Sequence, residues 1–168
     1  MAESPPDPTR RIAGATIRAL WAAHGLGAVR SITTPGGGVR NESYIVNGEL
    51  VIRFNTRDPQ FAKFSNERAA YDLLAPGPLP VPRVVALDES RTVVPYDYII
   101  LTRLPGAGIA AGRDTLTPEQ LDHLAGAAGQ ALAYLHGVTF AGFAKLCDLA
   151  QPPFATAPPI SATTWTAT

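Results

Sequence analysis

Residues 36–54 read GGGVRNESYIVNGELVIRF, and the punctuation of this stretch decides the fold. Asn47-Gly48 stands between two β-rich runs, Ser43 to Val46 and Leu50 to Asn55. Asn-Gly accepts the left-handed backbone that a two-residue hairpin turn requires, so the spacing predicts a β-hairpin. Gly36-Gly37-Gly38 is therefore followed by a hairpin and not by a helix. That excludes a Rossmann fingerprint, whose glycines open a helix. No Gly-Lys-Ser/Thr follows either, which excludes a P-loop. What remains is a glycine turn whose backbone can approach a ligand closely and whose successive N–H groups can cradle phosphate. Taken alone, a glycine-rich turn between strands is more often a plain connection than a ligand loop.

The second strand of the hairpin adds chemistry. In Leu50-Val51-Ile52-Arg53-Phe54, alternation puts Leu50, Ile52 and Phe54 on one face and Val51 with Arg53 on the other. The all-apolar face belongs to a core, so Arg53 points to the opposite side. Downstream, Phe61 to Leu74 reads as a helix with Phe64, Tyr71 and Leu74 on one face. Glu67 borders that stripe. A carboxylate there needs a cationic partner to offset desolvation, and Arg53 is one candidate. The other is Lys63 one turn back, a solvated contact of little energetic weight.

Working outward, Asp7-Pro8 is placed to start a helix that carries Ile12, Ile17, Leu20, Trp21 and His24 and stops at Gly25. His24 at its end is expected to cap or to make an edge contact with the helix dipole. Val29 to Thr33 is a short strand candidate. Pro76 to Pro82 contains four prolines and imposes a stiff, extended connection. Arg83 to Leu87 and Tyr98 to Arg103 are further strands, joined through the polar turn Asp88 to Arg91, and Leu104-Pro105-Gly106 ends the second. Thr117-Pro118-Glu119-Gln120 is a complete helix start, with threonine capping and glutamine closing a capping box. The helix it opens repeats Leu121, Leu124, Ala125, Ala128, Leu132 and Leu135 and ends at His136-Gly137. Beyond Asp148 the pattern dissolves into Pro, Ala, Thr and Ser. The expected architecture is α+β: a mostly antiparallel sheet of about five strands with helices inserted between hairpin-linked strands.

Composition bounds the function. The chain has 168 residues, 46% of them hydrophobic, with 14 Lys plus Arg against 14 Asp plus Glu. That balance gives no electrostatic reason to expect nucleic acid or an anionic membrane as partner. A single cysteine, Cys147, cannot form an internal disulfide or a Cys-rich zinc site. Met1 to Pro8 lacks the pattern of a signal peptide, and no stretch reaches the ~18 apolar residues of a membrane span. A cytoplasmic protein is expected.

Taken together, these parts resemble the aminoglycoside phosphotransferase family, whose fold is protein-kinase-like. Gly37-Gly38-Val39-Arg40-Asn41-Glu42-Ser43-Tyr44-Ile45-Val46 is similar to that family's phosphate loop, and Val51-Ile52-Arg53 to its basic strand. Asn66-Glu67-Arg68-Ala69-Ala70 is similar to its αC-type helix, and Leu79-Pro80-Val81-Pro82-Arg83-Val84 to its proline connection. Ile99 to Gly106 looks like its hinge strand, and Leu132-Ala133-Tyr134-Leu135-His136 like a later helix end. The resemblance spans residues 12 to 146. It implies an N-terminal helical extension over 1–28 and a kinase-like N-lobe with hinge over 29–106. A linker with a first helix after the hinge occupies 107–146, and a Pro/Thr-rich tail occupies 147–168. It also implies roles. Gly37, Gly38 and Asn41 would lie over the triphosphate of ATP. Arg53 would contact its α/β-phosphates with Glu67 holding it in place. Leu101 would back the adenine pocket, Val51 would pack on the adenine face, and the Thr102 carbonyl and Leu104 N–H would pair with its edge. His136 would be structural.

The family's second lobe carries an aspartate that orients or deprotonates the substrate hydroxyl, and further residues that hold Mg²⁺. After His136 the only acidic residue is Asp148, and no asparagine follows Asn66. One carboxylate cannot supply both a base and a metal cage. The expectation is a nucleotide-binding lobe of a small-molecule kinase, inactive alone, whose partner is a C-terminal lobe bearing the substrate site. The alternative is a non-catalytic nucleotide- or protein-binding module that reuses the lobe. The acceptor substrate is not legible in this stretch.

Overall fold

The computed structural model describes residues 12–35, 41–56, 63–109, 115–142 and 144–148. The chain forms two compact units, Met1–Gly106 and Ala107–Thr168. The first holds a five-stranded antiparallel sheet: β1 (Ile32–Thr33), β2 (Glu42–Val46), β3 (Leu50–Phe54), β4 (Val84–Asp88) and β5 (Tyr98–Thr102). The order across it is β1-β2-β3-β5-β4. Helix α1 (Gly14–Ala23) precedes the sheet, and α2 (Phe64–Leu74) lies between β3 and β4 in sequence.

The hairpin forms as its turn residues require. Asn47 and Gly48 have φ of 56° and 75°, both left-handed as the Asn-Gly pair allows, and with Glu49 they form a three-residue connection between the paired Val46 and Leu50. The turn fixes the register Ser43↔Arg53, Tyr44↔Ile52 and Ile45↔Val51. The Asn47 side chain has a second task that local sequence does not announce. Its Oδ1 accepts from the Arg30 and Ser31 N–H groups at 2.7 and 3.2 Å, and its Nδ2 donates to the Ala28 carbonyl at 2.9 Å. The hairpin tip thereby pins the segment that leads from α1 into β1.

The alternation of β3 divides the unit. Ile52 and Phe54 are fully buried in a core with Ile17, Leu20 and Trp21 of α1, Tyr44 and Val46 of β2, and Tyr98 and Ile100 of β5. The opposite face carries a smaller cluster, Phe64 of α2 with Ile99 and Leu101 of β5, flanked by Tyr71, Val84 and Leu87. So α1 and α2 cover opposite faces of the sheet.

Some boundaries differ from the sequence expectation. Helix α1 starts at Gly14 with Ala13 at the N-cap and no side-chain cap; Asp7 and Pro8 lie outside the described residues. Ile12 precedes the helix, buried, with its N–H held by Glu42 Oε1 at 3.1 Å. β1 shrinks to two residues because only Ile32 and Thr33 pair with β2. α2 begins at Phe64, after Lys63.

In the second unit, α3 (Pro118–His136) opens with the expected capping box. Thr117 Oγ1 accepts from the Gln120 N–H at 3.3 Å, and Gln120 Oε1 accepts from the Thr117 N–H at 2.9 Å. His136 lies in the last turn, where a basic residue complements the helix dipole. A short 3-10 turn follows at Leu146–Asp148. No helix among the described residues is long and apolar enough to cross a membrane.

Candidate functional site

The α2 face of the sheet concentrates the chemistry. Register places Arg53 opposite Ile99 and Val51 opposite Leu101, and directly opposed residues point to the same side. Val51, Arg53, Ile99 and Leu101 therefore share one face, as the alternation of Leu50 to Phe54 predicts. Ile99 and Leu101 are buried there, 0% and 4% exposed. Arg53 rises from this apolar floor, its side chain 25% exposed.

Arg53 meets α2. Its Nη1 donates to Glu67 Oε2 at 2.6 Å, a short charge-assisted bond between partly buried side chains. The guanidinium carbon also stands 5.7 Å from the centre of the Phe64 ring, within cation–π range. Glu67 thus pairs across the fold with the second strand of the hairpin. Its N–H also donates to the Lys63 carbonyl at 3.2 Å, within the helix.

Two residues of this site were not singled out for it in the sequence. Tyr71, one turn after Glu67, directs its hydroxyl toward Glu67 Oε2 at 3.4 Å. Burial, and then the neighbouring Glu67 charge, push the Tyr71 phenol above its ordinary pKa. The i,i+4 spacing of Glu67 and Tyr71 was the available signal. Glu89, one residue beyond β4, was invisible by any local rule. Its Oε1 accepts from the Phe64 and Ser65 N–H groups at 3.0 and 3.1 Å, and its Oε2 accepts from the Ser65 hydroxyl at 2.6 Å. It caps the helix that bears Glu67.

The remaining expected residues are distributed as follows. Gly37 and Gly38 lie outside the described residues. Asn41 immediately precedes β2 and is partly buried. Thr102 ends β5; its N–H donates to the Arg83 carbonyl at 2.9 Å and its Oγ1 accepts from the Arg83 N–H at 2.8 Å. Leu104 follows the strand and is 41% exposed. Among the described residues no group of three or more His, Cys, Asp or Glu side chains is arranged to hold a metal ion. His24 is the C-cap residue of α1, and its ring makes a tertiary contact that was not expected: Nε2 lies 2.8 Å from the Tyr98 hydroxyl and the rings meet edge-on.

Comparison with known proteins places these features in a family context. The family model described as APH, Phosphotransferase enzyme family, matches residues 31–164. No curated protein matches. Among solved structures, the GDP and kanamycin complex of APH(2")-IIia aligns with a TM-score of 0.54 at 20% identity, covering 66% of this chain and 37% of that one. The GDP complex of wild-type aminoglycoside 2'-phosphotransferase-IIIa gives the same TM-score, identity and coverage. The likeness is one of fold: the antiparallel sheet with its helices corresponds to the kinase-like N-lobe of these enzymes. The chain spans a little over a third of the length of these structures.

Proposed function

The chain belongs to the phosphotransferase enzyme family, and we propose that it supplies the nucleotide-binding lobe of a small-molecule kinase. In this reading Arg53 engages the α/β-phosphates of ATP and Glu67 holds the guanidinium in place. The single observation that carries it is the Arg53–Glu67 contact of 2.6 Å between β3 and α2. A lone arginine on a strand's outer face would be solvated in many directions. Here one donor is committed to a carboxylate and the aromatic ring of Phe64 supports the plane. A guanidinium carries five N–H donors in a rigid fork. The pairing with Glu67 orients that fork before a ligand arrives, and preorganised charge is what phosphoryl transfer draws on.

Val51 and Leu101 are neighbours on the same face as Arg53; Val51 is proposed to pack on the nucleobase, with the buried Leu101 behind it. Thr102 and Leu104 are proposed to meet the base edge, and Gly37, Gly38 and Asn41 to cover the phosphates. The neighbours named above were solved with GDP, so both ATP and GTP belong in the test. Mg²⁺ in such reactions would neutralise charge developing on the phosphates. The described residues do not fit a metal cage, and no ligand of that ion is assigned to this chain. Its ligands and the catalytic base are proposed to come from a second lobe, which would also bind the acceptor hydroxyl compound.

The test has two stages. Calorimetric titration of ATP and GTP into the chain should show binding that Arg53→Ala weakens by about tenfold or more, the loss of a charged phosphate contact. A family C-terminal lobe supplied in cis should then give phosphate transfer from the nucleotide to a hydroxylated acceptor. Absence of binding by the wild-type chain, or no transfer across a broad acceptor panel, would count against the reading.

A further inference from the structure

We infer that Glu89 is a positioning residue for Arg53, acting through α2. This rests on the nucleotide reading for its functional meaning, but its structural content stands separately.

The first turn of any helix leaves N–H groups without intrahelical partners. A side-chain oxygen at the N-cap normally serves them. At α2 the N-cap is Lys63, which has no acceptor and makes no capping bond. The acceptor arrives instead from outside the helix. Glu89 spans Phe64 N–H, Ser65 N–H and the Ser65 hydroxyl with its two carboxylate oxygens. Its negative charge also faces the positive end of the helix dipole. Glu89 follows Asp88, the last residue of β4, so this cap fastens α2 to the edge of the sheet.

The turn that Glu89 fastens is the turn that serves Arg53. Phe64, whose N–H bonds Glu89, is fully buried and lies against the Arg53 guanidinium. Glu67, one turn later, takes the Arg53 donor. Both supports of the arginine are thus carried within about 5 Å of helix axis beyond the capped N-terminus, at 1.5 Å of rise per residue. If the cap is removed, the first turn frays, and Phe64 and Glu67 lose their fixed approach to Arg53 together. Tyr71 steadies Glu67 from the following turn but leaves the first turn free.

The experiment uses the full chain with Glu89→Ala and Glu89→Gln. Three readouts are taken: the NMR signal of the Arg53 side chain, amide exchange along α2, and ATP affinity. In the wild type the Arg53 signal should be displaced from that of free arginine by the Phe64 ring and the Glu67 carboxylate. Glu89→Ala should return it toward the free position and speed exchange in the first turn of α2, with sheet amides unchanged. It should also weaken ATP by about tenfold. Glu89→Gln keeps an acceptor oxygen for the helix N–H groups and should rescue most of all three. An Arg53 signal unmoved by Glu89→Ala overturns the inference, and so does exchange that quickens equally in the sheet. If the wild-type chain binds no ATP while the Arg53 signal still responds to Glu89→Ala, the positioning role stands and the nucleotide reading falls.

Discussion

The two faces of the sheet use the same strands for different ends. On the α1 side, β3 contributes Ile52 and Phe54 to a continuous core with Trp21, Tyr44, Tyr98 and Ile100. On the α2 side, the same strand contributes Val51 and Arg53 above a small cluster of Phe64, Ile99 and Leu101. One side removes large apolar groups from water, the dominant favourable term in folding. The other leaves a partly exposed charge pair on an apolar floor, which adds little to stability but fixes where a guanidinium points. The contrast teaches that the stability of this unit and its chemistry are separable by substitution.

The sharpest way to break the contrast is in the core. Phe54→Ala should cost about 3–5 kcal/mol of unfolding free energy, measured by urea denaturation, because the ring is fully buried between α1 and the sheet. A loss below about 1 kcal/mol would mean that the α1 face does not carry the fold.

Next in size is the pair of the buried Asp97, just before β5, with the exposed Arg91. Asp97 is fully buried and accepts two bonds from Arg91, at 2.6 and 3.0 Å; its carbonyl takes the Asn55 N–H at 2.9 Å. Arg91 adopts a φ of 57° to reach it. Arg91→Ala should destabilise the unit by less than Phe54→Ala does, because the buried Asp97 carboxylate loses its main partner while Arg91 itself is exposed. The same urea titration reads it.

A smaller effect separates the faces by pH. Burial, and then the Asp88 charge, push the Tyr98 phenol up to about 12. The folded state therefore holds this proton more tightly than the unfolded chain, whose tyrosine titrates near 10. Its contribution is complete below pH of about 10 and is lost as pH rises from about 10 to about 12. Tyr71 shifts in the same direction. Tyr98→Phe should flatten the alkaline fall in stability more than Tyr71→Phe does, as followed by circular dichroism.

Smallest of all should be the stability cost of Glu67→Ala. The pair with Arg53 is roughly a quarter to a third exposed, and such pairs contribute about 1 kcal/mol or less. A larger loss would show that the α2 face is a core element and not a site.

Much of this division was legible in sequence. Asn47-Gly48 announced the hairpin, and alternation around Ile52 then assigned Arg53 to the outer face. Glu67 could be paired with Arg53 because it borders the Phe64–Tyr71 stripe. Thr117-Pro118-Glu119-Gln120 announced α3. Each of these signals is local, a turn preference, a period or a cap. What escaped was tertiary. Glu89 caps a helix whose first residue lies 25 positions earlier, and nothing near Glu89 marks it as a cap. Asn47 was read for its backbone, while its side chain also closes the segment from Ala28 to Ser31. Asp97 was unremarked because a lone acidic residue in a loop reads as solvated until its burial is known. The bond from the Ile12 N–H to Glu42, a strand residue, was equally out of local reach. The glycines at 37 and 38 lie outside the described residues, so their part in the site rests on resemblance and is a proposal.

The central claim is that Glu67 serves the nucleotide through Arg53. The direct test is ATP affinity, by calorimetry, for the wild type, Arg53→Ala, Glu67→Ala and the double variant. Each single change should weaken binding, by about tenfold for Arg53→Ala, and the double variant should bind no more weakly than Arg53→Ala alone, the non-additivity expected of coupled residues. Contradiction would come from Glu67→Ala retaining wild-type affinity, or from the two losses simply adding.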